Sequence, residues 1–156
     1  MNVKHTQRLI AGVIATIALT AHAQSPGDSA DELLQDANVV LRQLDAGQFD
    51  DVWTNAAGFV KTRVKQDQFA TNLRRARQAF GTVDHRGWAQ VTRIRYTNVA
   101  NVPDGLYANV DCATTLTTGA RFYEKLSFRL DGDDHWHLTG YTPRKTQDVQ
   151  AGIPQY

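Results

Sequence analysis

The apolar pattern of the chain changes period at Gly81, and that change limits the folds open to it. Before Gly81, apolar residues recur at helical spacing; after it, they alternate. A period of 3.6 stacks side chains on one helix face, while a period of 2 sends neighbours to opposite faces of a strand. A helical half followed by a sheet half is an α+β pattern.

Within the helical half, Ser29 followed three residues later by Glu32 is a capping box, which satisfies free N–H groups where a helix starts. Leu33, Leu34, Ala37, Val40, Leu41 and Leu44 form the stripe of a first helix, and Gly47 supplies the left-handed residue that closes it. A second helix is expected over Phe49 to Ala57, with Phe49, Val52, Trp53 and Ala56 inward and Gly58 as its stop. Phe59, Val60 and Val64 then cover a linker. A third helix is expected over Gln66 to Phe80, striped by Phe69, Leu73, Ala76 and Phe80 and capped by Gly81.

Four strands are expected in the sheet half. Arg86 to Val99 is rich in Thr, Val, Ile and aromatics, and Pro103-Asp104-Gly105 is a turn. From Leu106 to Leu116 the inward row is Leu106, Ala108, Val110, Cys112, Thr114 and Leu116. Thr118-Gly119 turns the chain into Phe122 to Leu130, whose inward row of Phe122, Leu126, Phe128 and Leu130 is interrupted by Glu124. Asp131 to Asp134 leads to a last strand with Trp136 and Leu138 on one side and His135, His137, Thr139 and Tyr141 on the other. A sheet with one apolar and one polar face takes helices on one face only. The expected architecture is three N-terminal helices on one face of a curved four-stranded antiparallel sheet, the general form of the NTF2-like and cystatin-like folds.

The residues also carry a closer resemblance. Leu44-Asp45-Ala46-Gly47-Gln48-Phe49 with Trp53, Ala56, Ala57, Phe59 and Lys61 resembles the first half of the domain-of-unknown-function 4019 family. Arg77, Gly81, Val83 and Arg86 are similar to its middle motif, Pro103-Asp104-Gly105 with Tyr107 to its hairpin, and Trp136, Leu138, Gly140 and Tyr141 to its closing motif. The resemblance runs from about Leu34 to Arg144. It implies an exported bacterial protein and assigns no activity or substrate. The chain departs from the family pattern in its His-flanked Trp136 and in the polar run Thr114 to Gly119.

The N-terminus reads as an export signal. Lys4, His5 and Arg8 precede an apolar run from Leu9 to Thr20, and Ala21-His22-Ala23 offers small residues for cleavage after Ala23. That run is too short for a permanent membrane helix, and no later run is longer. Residues 24–144 are then expected to be one domain and 145–156 a flexible tail, with a periplasmic or secreted location. Removing Lys4 and Arg8 from the 17 basic residues leaves 15 against 16 acids, a balance that gives no support to a general nucleic-acid binder, so no nucleic-acid partner is expected. The lone Cys112 has no internal partner, so it is buried or pairs between chains, and its inward parity favours burial.

Two groups of residues invite a chemical reading. His135 and His137 lie two apart, so a strand projects both imidazoles from one face, and Asp133 or His85 would supply a third ligand to zinc or copper. The bland alternative is a solvated face. Glu124 falls on the apolar face, where an unpaired carboxylate is costly, so it needs a partner or a wet cleft. Arg77 and Arg86, either side of Gly81, are the candidates, and Glu124, Arg77 and Arg86 form the expected binding set. Lys61, Arg63, Lys65, Arg74, Arg75 and Arg77 belong to a stretch, residues 61–95, with nine bases and two acids, which complements seven acids and one base over residues 24–60. No G-x-S-x-G, P-loop or dinucleotide fingerprint occurs. The expected function is a non-enzymatic exported binding or interaction module without a cofactor, its partner an unknown small molecule or envelope protein. An enzyme using Glu124 as acid or base, or a metal protein using His135 and His137, are the alternatives.

Overall fold

The computed structural model describes residues 29–147; the expected signal segment, residues 1–23, and most of the expected tail lie outside them. Four helices come before four strands: α1 (Ala30–Asp45), α2 (Phe49–Thr54), α3 (Gly58–Arg63), α4 (Gln66–Gln78), β1 (Val83–Tyr96), β2 (Gly105–Leu116), β3 (Arg121–Leu130) and β4 (Trp136–Arg144). The strands pair antiparallel in chain order. Outside β4, Ala56 adds a single parallel bridge to Leu138.

Helix α1 starts where Ser29 Oγ accepts the Glu32 N–H at 3.3 Å. It stops at Gly47, whose φ of 71° lets Gln48 N–H reach Gln43 O at 2.8 Å. Leu33, Ala37, Val40, Leu41 and Leu44 are its buried stripe. A 16-residue helix is marginal in water. Burial of these side chains, roughly 1.5–3 kcal/mol for each large one, is what holds it.

The middle of the helical half differs from the sequence expectation. Helix α2 ends at Thr54 rather than Ala57, because Ala56 and Ala57 are drawn to the sheet edge, where Ala57 N–H donates to Leu138 O at 2.9 Å. Gly58 therefore opens a helix instead of closing one, and the expected linker is α3. Helix α4 ends at Gln78, before Phe80, and Gly81 is not among the positive-φ glycines, so it is no left-handed cap. Strand β1 starts and ends three residues earlier than expected, since Asn98 with φ of 57° turns the chain.

The core joins the helix stripes to Ala108, Val110, Cys112, Leu126, Phe128, Trp136 and Leu138 of β2 to β4. Among the described residues, none of β1 belongs to it. Trp88 and Val91 of β1, paired with the inward Cys112 and Val110, remain 47% and 37% exposed. The helices thus cover one face of the sheet and stop short of its first strand. Bulges at Ala89 in β1 and between Leu138 and Gly140 in β4 break the ladder. Such insertions bend a strand and re-aim its side chains.

Candidate functional site: the Glu124 network and the arginine cleft

Glu124 lies on β3 between Cys112 of β2 and Pro143 of β4, which sends its side chain beneath the helices, where it is 0% exposed. A bare carboxylate there would cost several kcal/mol. Four donors meet it instead. Oε1 accepts Arg86 Nε at 2.8 Å and Thr114 Oγ1 at 2.5 Å. Oε2 accepts Tyr141 Oη at 2.6 Å and Arg77 Nη1 at 3.3 Å. A carboxylate offers about four lone-pair positions, so each is occupied by a protein donor.

Asp45, the last residue of α1, completes the network from the surface. Its Oδ1 accepts Arg77 Nη2 at 2.6 Å and Arg86 Nη2 at 2.8 Å, and its Oδ2 accepts Arg86 Nη1 at 2.6 Å. The planar Arg86 fork grips Asp45 at two points, the strong form of this pairing. Two carboxylates and two guanidinia balance in charge and tie α1, α4 and the sheet together.

The network sets the protonation of its members. Burial alone would lower the Arg86 pKa, but hydrogen bonds to Asp45 and Glu124 outweigh it and hold the guanidinium above its ordinary value. Burial, then the Glu124 charge and hydrogen bond, push the Tyr141 phenol up. Burial and the Glu124 charge push the Cys112 thiol up to about 12, which keeps this free, buried cysteine protonated.

The sequence pointed to Glu124, Arg77 and Arg86, and the structure brings these three together. It also adds three residues. Thr114 was legible as inward but not as a donor. Asp45 was hidden by distance along the chain. Tyr141 was assigned to the opposite face, and this is corrected: the bulge between Leu138 and Gly140 shifts the register, so that Tyr141 pairs with the inward Leu126. Gly140 inside the strand was the available signal for that bulge.

On the solvent side of Arg77 a cavity of about 550 Å³ opens between the end of α1, the Gly47 turn and the link from α4 to β1. Leu44, Phe49, Phe80 and Val83 supply apolar wall. Arg74 and Arg77 line the same cavity, their guanidinia stacked over Phe49 at 5.4 Å and Phe80 at 5.1 Å. Two other cations of the basic stretch are engaged separately: Lys61 donates to Thr54 O at 2.6 Å, and Arg63 to Asn101 O at 2.8 Å.

The His pair does not converge. His137 Nε2 lies 2.8 Å from Asp133 Oδ2 and Nδ1 lies 3.2 Å from Asn55 O, while the largely exposed His135 faces Glu32 of α1 at 3.8 Å. His85 sits on β1, the opposite edge of the sheet from β4. The His137 hydrogen bond, then that of the His135 backbone, holds the Asp133 carboxyl below its usual range. Among the described residues no three His, Cys, Asp or Glu side chains form a metal-binding group.

An α+β domain with a buried acid–arginine network and a half-open arginine cleft is the class that this geometry defines. The profile of a family described as "Protein of unknown function (DUF4019)" matches residues 36–141, more than half of the chain, and the chain belongs to that family. No curated protein matches it, and no solved structure does. Among the described residues no helix is long and apolar enough to cross a membrane.

Proposed function

We propose that this protein is an exported, non-enzymatic binding module whose ligand is a small anion with an apolar body, taken in the cleft beside Arg74 and Arg77. One observation carries the reading. Two guanidinia, each stacked on an aromatic ring, line one cavity, and Arg77 is fixed from behind by Glu124 and Asp45. A pre-oriented arginine loses little freedom when it grips a carboxylate or phosphate. Arg74 has no carboxylate partner among the described residues and supplies the second cation. Glu124 and Arg86 serve the site by holding Arg77.

Glu124 is a poor acid or base, because a substrate proton would compete with four donors in a site closed to solvent. Among the described residues the metal alternative finds no third ligand. The one-sided packing of helices on a bulged sheet supports the NTF2-like or cystatin-like form. The charged, apolar and small-residue sequence of residues 1–23 supports export with cleavage after Ala23.

Native mass spectrometry of the protein recovered from the cell envelope tests both halves. The expected mass begins at Gln24 and carries a bound anion that is lost in Arg74→Ala. A ligand-free protein that also shows no Arg74-dependent response to carboxylate and phosphate compounds would refute the binding site.

A further inference from the structure

Among the described residues, the charged side chains lining the arginine cleft are Asp45, Arg74 and Arg77, with Gln78 and Thr82 as neutral polar neighbours. Arg77 is largely spent on its own partners. Its Nη1 donates to Glu124 Oε2 at 3.3 Å and to Tyr141 Oη at 3.4 Å, and its Nη2 to Asp45 Oδ1 at 2.6 Å. Arg86 donates to the same two carboxylates. Two guanidinia thus meet two carboxylates, and their charges cancel. Arg74 differs. It makes no hydrogen bond or ion pair among the described residues, and its guanidinium lies over the Phe49 ring at 5.4 Å. Stacking uses the face of the ion and leaves N–H groups at its edge for a ligand.

The cleft therefore holds one uncompensated positive charge and one unused guanidinium edge. A carboxylate matches both. It carries a single charge, and its two coplanar oxygens pair with a guanidinium edge through two parallel hydrogen bonds. A phosphate monoester in its dianionic form brings a second charge, which no lining cation balances. Asp45, 33% exposed on the same wall, repels that charge. The wall is also the C-terminal end of α1 at Asp45 and of α4 at Gln78, and helix C-termini carry negative partial charge. Leu44, Phe49, Phe80 and Val83 supply apolar surface beside Arg74, and a volume of about 550 Å³ accommodates a ring-sized body.

We infer that the cleft selects a monocarboxylate with an apolar body and discriminates against dianionic phosphates, Arg74 gripping the carboxylate and Asp45 limiting the charge; this rests on the anion-binding role proposed above. Asp45 then has two tasks: it holds Arg77 and Arg86 in place, and it keeps the net charge of the cleft at that of one arginine.

The test is isothermal titration calorimetry of the full exported chain with phenylacetate and phenyl phosphate, which share a ring and differ in charge. At pH 8 phenylacetate is expected to bind about tenfold more tightly than phenyl phosphate, or better. At about pH 5.5, below the second phosphate ionisation near 6, phenyl phosphate becomes mostly a monoanion and the preference should narrow about threefold or more. Asp45→Asn keeps the shape of the side chain and removes its charge, so the preference at pH 8 should fall about fivefold or more. The preference is a ratio read within one variant, so any loss of folded protein cancels. Phenyl phosphate that binds wild type at pH 8 as tightly as phenylacetate does, through Arg74, overturns the monocarboxylate inference and leaves the anion site standing. An unchanged preference in Asp45→Asn overturns it equally. If neither probe binds in a manner lost in Arg74→Ala, the anion site itself falls and this inference falls with it.

Discussion

Replacing Glu124 by Gln tests whether the acid–arginine network holds the fold. The two side chains have nearly the same volume, so no cavity opens and the difference is charge and hydrogen-bond sense. Wild-type Glu124 accepts from four donors at 0% exposure. In the variant one terminal atom becomes an NH₂ group facing donors, and the excess guanidinium charge is left with Asp45 alone. Removing one partner of a buried ion pair costs about 3–5 kcal/mol. Set against a typical domain stability of about 5–15 kcal/mol, this is a large fraction. With a urea m-value of about 1.5 kcal/mol per M, the midpoint falls by about 2–3 M at unchanged slope. Tryptophan fluorescence in urea reads the change, with the exposed-site variant Asp67→Asn as a control expected within about 0.5 kcal/mol of wild type. A loss below about 1 kcal/mol in Glu124→Gln would refute the view that these charges pin the helices to the sheet.

Tyr141→Phe removes one donor to a buried charge and should cost about 1.5–3 kcal/mol in the same assay. Gly47→Ala should cost about 1–2 kcal/mol, because φ of 71° is strained for any residue with a Cβ. Cys112 should resist thiol reagents in native protein at pH 8 and react on unfolding. Its raised pKa also fixes a pH trend: the folded thiol keeps its proton after the unfolded one has lost it. Its contribution is therefore complete below the ordinary thiol value near 9 and is lost as pH rises through about 12. Cys112→Ala should flatten that decline in alkaline urea titrations, leaving the part that Tyr141 adds in the same direction. Zinc and copper should shift the melting temperature of wild type and of the His135→Ala, His137→Ala double variant equally; a shift lost in the double variant would restore the metal reading.

The features legible in the sequence were those written in local periodicity. The α1 stripe, the Gly47 stop and the inward row of β2 follow from period and turn chemistry, which act over a few residues. The errors lie where tertiary contacts overrode local signals. Ala56 and Ala57 suit a helix, yet the edge of β4 takes their backbone and turns Gly58 from a stop into a start. Tyr141 was misplaced because parity counting assumes an unbroken ladder, and one bulge reverses every later side chain. Glu124 was found by the opposite logic: a charge where the pattern demands an apolar residue must be paired, whatever the pairing is for. Asp45 could not be found that way, since an acid at a helix end needs no explanation until the fold places it beside two arginines.

That position of Asp45 links stability to the cleft. Glu124 is sealed in the core and Asp45 is one-third exposed at the rim, while Arg77 touches both and turns a stacked face to the cavity. The cost of orienting Arg77 is therefore met during folding rather than during binding. An anion held there binds only the folded chain, so it should raise the unfolding free energy by RT ln(1 + [L]/Kd). Loosening Arg77 through Tyr141→Phe should then weaken anion binding without touching the ligand, whereas Arg74→Ala, at an exposed position outside the network, should weaken binding and leave stability nearly unchanged. The two variants separate the residue that contacts the ligand from the network that positions its neighbour.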